Sequence, residues 1–179
     1  YMEGYLAASP SGLDAAVKGR AQAVTKGVPL ALTLSDVSMI NFCKPGLDAM
    51  LGTGVDYLFC NEEEAQVWCG VTEQALVNAA LAPLAKTVCL TRGAKGTLVL
   101  QGGQVHDVPG FPVKALDANG AGDMFAGAFL YGLSEGMTAP QAASLANKAA
   151  SVVVAQRGNR LTTEGVRALL SDWRALSAT

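Results

Sequence analysis

The residues most able to do chemistry together form one stretch, Asp117, Ala118, Asn119, Gly120, Ala121, Gly122 and Asp123. The apolar run Met124, Phe125, Ala126, Gly127, Ala128, Phe129 and Leu130 follows at once. A glycine-rich turn entering a helix-patterned segment lets backbone N–H groups converge on one point, because glycine has no Cβ in the way. The helix contributes unpaired donors and the positive end of its dipole. Gly120, Ala121 and Gly122 are therefore expected to form an anion hole with Asp123 at its rim. A carboxylate beside an anion site fits a general base, which takes a proton from an alcohol while the hole holds a phosphoryl group in transfer. On position alone, an ordinary acid at a helix start remains an equal reading of Asp123. Two other phosphate motifs fail. Phe125 stands where a dinucleotide fingerprint needs its third glycine, and Lys95, Gly96 and Thr97 are in the wrong order for a P-loop.

The Asp-x-Asn-Gly-Ala-Gly-Asp stretch resembles the second signature of the PfkB, or ribokinase-like, kinases. Asn119 and the Met124 to Gly132 continuation are most similar to the adenosine-kinase-like branch. The likeness recurs, in the family's order, at Glu3 to Leu6, Leu32 to Asp36, Tyr57 to Ala65, and Thr91 to Thr97. It implies a C-terminal half only, since no counterpart of the family's N-terminal half, with its lid and acceptor-gripping residues, is found. Residues 1–179 are expected to be a single domain, the nucleotide-binding part of such a kinase.

What the resemblance implies is specific. Asp123 is the base, and the Gly120 to Gly122 amides stabilise the moving phosphoryl group. Asn61 and Glu64 organise the Mg²⁺ and phosphate shell, Glu64 through water. Thr91, Gly93 and Gly96 form a nucleotide loop, and Asn147 lines an adenine pocket. Asp117 and Asn119 begin a monovalent-cation loop, completed by carbonyls of the Val154 to Gly158 stretch, so potassium activation follows by analogy. The cofactors are ATP and Mg²⁺, with K⁺ as the third candidate. The acceptor is the primary alcohol of a nucleoside such as adenosine, with a ribose- or fructose-type sugar as the alternative. A non-catalytic nucleotide-binding half-domain, or a half that pairs with another chain, are readings from other classes. The complete protein would be a candidate homodimer.

The bare residues also allow simpler roles. Glu62, Glu63 and Glu64 could be helix-start acids with Asn61 as cap, Thr91 to Gly96 a plain turn, and Asn147 a polar face residue. Arg92 and Lys95 could reach a phosphate or solvent. Arg157 and Arg160 read as a solvated face, His106 as a strand residue without catalytic work, and Trp68 and Trp173 as helix packing.

Composition sets limits. Half of the 179 residues are hydrophobic and 16% are charged, enough for a real core. A net charge of −2 gives no basic surface for nucleic acid. No apolar run reaches the ~18 residues of a membrane span, and cytoplasm is the expected compartment. Cys43, Cys60, Cys69 and Cys89 lack Cys-x-x-Cys spacing and a histidine partner set, so reduced, buried thiols are expected.

Around the motifs, the pattern alternates strand and helix. Strands are expected at Gly4–Ala8, Pro29–Ser35, Val55–Cys60 and Lys86–Thr91, with a hairpin pair at Gly96–Gln101 and Gln104–Val108 turning at Gly102 and Gly103. Helices are expected at Ser11–Lys26, Glu62–Trp68, Thr72–Leu84 with Thr72 as cap, Ala121–Glu135, Ala139–Gln156 and Thr163–Trp173, with a short helix or loop at Lys44–Thr53. The alanine-rich run Ala142–Ala155 suggests close packing on a sheet. Continuous apolar strands alternating with helices predict an α/β fold with a mostly parallel sheet covered on both faces. Asn61, Thr91 and the Gly120 loop each lie past a strand-like run and are expected to meet at one sheet edge.

Overall fold

The computed structural model describes residues 1–177. Six strands form one sheet in sequential order: β1 Met2–Glu3, β2 Ala31–Thr33, β3 Val55–Asn61, β4 Ala85–Thr91, β5 Thr97–Gln101 and β6 Gln104–Val108. Strands β1 to β4 are parallel, in registers Met2 to Leu32, Ala31 to Tyr57 and Tyr57 to Thr87. The helices among the described residues are α1 Pro10–Lys26, α2 Val37–Leu51, α3 Glu62–Cys69, α4 Gln74–Leu81, α5 Ala121–Ser134, α6 Ala139–Val154 and α7 Thr163–Ser177. This is the expected α/β order. The residues fall into two compact units: residues 1–91 with 98–106, and residues 92–97 with 107–179.

The first unit is built on the parallel strands. Leu58, Phe59 and Cys60 are buried in succession, as are Val88, Cys89 and Leu90, so both faces of β3 and β4 are covered. Leu32, Leu58, Val88 and Leu90 share one core with Leu47 and Met50 of α2 and Val77 and Leu81 of α4. Ser9 caps α1, accepting from the Gly12 N–H at 3.1 Å, and Pro10 fills the first helical position, where a missing N–H costs nothing.

Several expectations in this unit are corrected. Residues Gly4–Ala8 form a 3₁₀ turn rather than a strand. The ladder stops there because the Gly4 N–H donates to Ser35 Oγ (2.8 Å) instead of a neighbouring strand. Helix α2 begins well before Lys44, capped by Asp36, whose Oδ1 accepts from the Ser38 N–H at 2.7 Å. Pro45 and Gly46 read as breakers, but the non-helical Cys43 splits α2 in two and leaves Pro45 in the first turn of the second piece. Helix α4 starts after Glu73, not at Thr72, and residues Ala82–Leu84 are a 3₁₀ turn around Pro83. All four cysteines are free, yet only Cys60 and Cys89 are buried; Cys43 and Cys69 are half-buried. Lys44 lies 3.5 Å over the Trp68 ring, which accounts for that tryptophan by helix packing.

In the second unit, α5 and α6 pack on each other. A Cβ on Gly132 would stand 3.0 Å from that of Ala142, so small residues let α5 and α6 approach closely here. Phe125 and Phe129 stack at 6.2 Å along α5. At the start of α6, Gln141 Oε1 accepts from the Thr138 N–H at 2.9 Å. The hairpin turn falls at Gly102 and Gly103, with φ of 58° and 78°.

Candidate active site

In the first unit, Asn61 and Thr91 are the last residues of the neighbouring strands β3 and β4 and pair directly in register. They therefore lie at the carboxyl edge, where ligands of such sheets bind. Asn61 caps α3. Its Oδ1 accepts from the Glu64 N–H at 2.8 Å, its Nδ2 donates to Glu64 Oε1 at 2.6 Å, and its N–H donates to Oε2 at 3.0 Å. This reciprocal capping box holds the Glu64 carboxylate in one orientation. Burial pushes the Glu64 carboxyl above its ordinary 4.5, the charges of Asp36 and Glu63 push the same way, and the Asn61 N–H opposes them. Each Glu64 oxygen accepts one bond from Asn61 and keeps a lone pair. That donor set fits a magnesium ion held through water, because Mg²⁺ keeps much of its water shell. Capping and the implied metal role are thus compatible in the same two side chains.

Sequence reasoning missed a second polar knot in this unit. Ser35 has φ +71°, an unusual conformation for a side-chain-bearing residue. Its hydroxyl accepts from the Gly4 N–H and donates to Glu3 Oε2 at 3.3 Å. The neighbouring Asp36 carboxyl lies below its ordinary 3.8, held there by the Ser38 hydroxyl and N–H. Only the Glu3 to Leu6 and Leu32 to Asp36 resemblance hinted at these residues.

In the second unit, Gly120 caps α5 in the left-handed region, with φ of 76°. A Cβ there would run into the Asn159 carbonyl and come within 2.8 Å of the Asn159 side chain. Only glycine fits that approach. Ala121 donates its N–H to Ala118 O at 3.2 Å, closing the turn. The Gly122 and Asp123 N–H groups have no acceptor among the described residues, as expected for the first turn of a helix. Of the Gly120 to Gly122 amides expected to line an anion hole, that of Ala121 is thus committed to the turn. The first turn of α5 leaves the Gly122 and Asp123 N–H groups open, and a Cβ on Gly122 would meet nothing within 4 Å. Asp123 itself is exposed, with no hydrogen-bond or ion-pair partner among the described residues. This loop does not follow a strand directly: residues 109–116 separate Asp117 from the end of β6.

Asp117 accepts the Asn119 N–H at 3.0 Å, a turn that shapes the approach to Gly120. The Val154 carbonyl accepts from both the Leu116 N–H (2.7 Å) and the Asp117 N–H (3.3 Å). Val154 thus ties the 116–119 segment to the end of α6, and its oxygen is engaged in backbone pairing. No cluster of three or more His, Cys, Asp or Glu able to hold a metal occurs among the described residues.

Gly93, Gly96 and Asn147 come together in the same unit. Residues Gly93–Lys95 form a 3₁₀ turn, and the Arg92 N–H donates to Gly96 O at 2.7 Å. Asn147 is buried, with Oδ1 accepting from Thr97 Oγ1–H at 2.7 Å and Nδ2 donating to Val108 O (3.2 Å) and Pro109 O (3.1 Å). Both of its N–H donors are committed within the protein. Arg92, expected either at a phosphate or in solvent, is largely buried and paired with Asp107. His106 is half-buried in β6, and Arg157 and Arg160 are exposed.

These features place the chain in the ribokinase-like α/β fold class. The chain belongs to the pfkB family of carbohydrate kinases, whose model matches residues 1–164. It is 31% identical over 177 residues to an adenosine kinase of Schizophyllum commune, covering 88% of this chain and 51% of that protein. A ribokinase of Haemophilus influenzae is 36% identical over 110 residues, 58% of this chain and 36% of the enzyme. The crystal structure of an adenosine kinase from Sinorhizobium meliloti superposes with a TM-score of 0.87 at 28% identity, covering 94% of this chain and 53% of that one. The chain thus spans about half the length of its adenosine-kinase relatives and resembles that branch of the family. No helix among the described residues is long and apolar enough to cross a membrane.

Proposed function

We propose that the protein to which this chain belongs is an ATP-dependent kinase acting on the primary hydroxyl of a nucleoside, with adenosine as the leading acceptor. One observation supports this most: the open Gly122 and Asp123 amides sit on the first turn of α5 together with an exposed, unpartnered carboxylate. In this reading the Asp123 carboxylate removes the proton from the acceptor hydroxyl as that oxygen attacks the terminal phosphorus of ATP and the bond from that phosphorus to its bridging oxygen breaks, releasing ADP. The Gly122 and Asp123 N–H groups, with the α5 dipole behind them, stabilise the charge gathering on the transferred phosphoryl oxygens. Asn61 and Glu64 hold the water shell of Mg²⁺, which when bound neutralises phosphate charge. The Thr91 to Gly96 loop carries the nucleotide. Asp117 and Asn119 belong to the shaping of the Gly120 turn, with a potassium ion as a second role for that loop. The enzyme works in the cytoplasm on small molecules rather than nucleic acid, as a homodimer in its complete form.

The adenosine-kinase relatives support a nucleoside acceptor, and the ribokinase relative supports a pentose as the competitor. ADP release measured with adenosine, ribose and fructose in turn decides between them. Turnover with adenosine alone is expected. Preference for a sugar would move the protein to the other branch, and ATP binding without release on any acceptor would leave a nucleotide-binding protein.

A further inference from the structure

Thr97 has no expected part in the chemistry, yet its side chain is fully buried and hydrogen-bonded to another buried polar side chain, that of Asn147. The pair joins three elements of the second unit. Thr97 directly follows the Gly93–Gly96 turn, Asn147 lies in the middle of α6, and the carbonyls that Asn147 holds are those of Val108, the last residue of β6, and Pro109 just past it. The same elements interlock at the backbone. A Cβ on Gly96, where φ is 93°, would overlap Val108 O and the Gly110 N, and one on Gly110 would come within 2.5 Å of Ala94 O. Next to Asn147, Lys148 lies 5.4 Å over the ring of Phe111, pinning the segment just past Gly110.

A buried polar pair of this kind is costly if any member loses its partner, and it therefore fixes one arrangement of what it joins. We infer that Thr97 and Asn147 are positioning residues: their hydrogen-bonded pair holds the Gly93–Gly96 turn in its nucleotide-binding shape by anchoring it to α6 and the end of β6. Neither side chain offers a donor to the nucleotide, because Thr97 donates its proton to Asn147 and Asn147 has spent both N–H groups. The inference deepens the kinase reading and rests on it for the word nucleotide. The holding of the turn stands on the contacts alone.

Thr97→Val tests it, since valine keeps the shape and removes the donor. Thr97→Ser, which keeps the hydroxyl, is the rescue. Two readouts separate the layers. Amide hydrogen exchange in the protein without nucleotide should accelerate at Gly93, Ala94, Lys95 and Gly110 in Thr97→Val and far less in Thr97→Ser. Equal exchange in wild type and Thr97→Val would overturn the positioning role. In turnover, the KM for ATP should rise about tenfold in Thr97→Val, the scale of one lost buried hydrogen bond, with kcat within about twofold. A loosened turn with unchanged KM would overturn its link to the nucleotide. Absence of phosphoryl transfer in the wild type would instead count against the kinase reading, and the exchange comparison would still decide whether the pair holds the turn.

Discussion

Adding one methyl group at Gly122 separates the fold from the chemistry. Gly122 is the second residue of α5, its φ is outside the left-handed region, and no heavy atom lies within 4 Å of the place its Cβ would take. Gly122→Ala therefore strains nothing in the protein. Alanine is the better helix former, so stability should be unchanged or rise by about 0.5–1 kcal/mol. The Gly122 N–H remains. The cost appears only if a phosphoryl group must lie against this backbone. A methyl that moves the reacting phosphorus by about 1 Å is expected to lower turnover roughly 10²-fold, or about 2.7 kcal/mol of barrier. Chemical denaturation gives the first quantity and ADP release under saturating substrates the second. Gly127→Ala is the control: it lies on the same helix with the same empty surroundings. It should show the stability gain with wild-type turnover. If Gly122→Ala turns over like wild type, nothing docks at the start of α5 and the anion hole is an ordinary helix end.

Gly120→Ala should do the opposite to stability. The left-handed φ costs alanine about 1–2 kcal/mol, and overlap with Asn159 adds about 1–3 kcal/mol, read as a lowered denaturation midpoint with turnover lost alongside. At the far end of the parallel strands, Asp56 Oδ2 accepts the buried Leu30 N–H at 2.7 Å and Oδ1 meets the exposed Lys86 at 2.8 Å. Partial burial alone would raise the Asp56 carboxyl; Lys86 and the Leu30 N–H outweigh it and set the group below its ordinary 3.8. Asp56→Ala should cost about 1.5–3 kcal/mol at neutral pH, mostly through the Leu30 bond, since an exposed ion pair adds little. Because the folded carboxyl is the stronger acid, this stability is present above pH 3.8 and is lost as the pH falls through the lower folded value, so the two proteins should converge in acid denaturation.

The sequence disclosed the site more fully than its supports. Motif residues sit where turn and cap chemistry is most local. Gly120 caps a helix, Asn61 and Glu64 box one, and Gly102 and Gly103 turn a hairpin, each set by residues within a few positions of one another. Edges were harder. Pro45 and Gly46 look like a break, but proline is tolerated in a first turn, and only the irregular Cys43 shows that a second helical piece starts there. The fate of Gly4 depended on Ser35, thirty-one residues away, taking its N–H. Thr97 was invisible for the same reason: its partner Asn147 is fifty residues on, and a threonine entering a strand has no distinguishing local pattern. Arg92 gave no hint of its burial against Asp107.

The central claim is that Asp123 is the base of an ATP-dependent phosphoryl transfer. Its most direct test is the turnover of Asp123→Asn with saturating ATP and adenosine, measured beside nucleotide affinity. The substitution keeps the size of the side chain and leaves the open N–H groups of α5 in place. Turnover should fall by about 10²- to 10⁴-fold, the usual worth of a positioned base, with the Kd for ATP nearly unchanged. Wild-type turnover in Asp123→Asn would contradict the account.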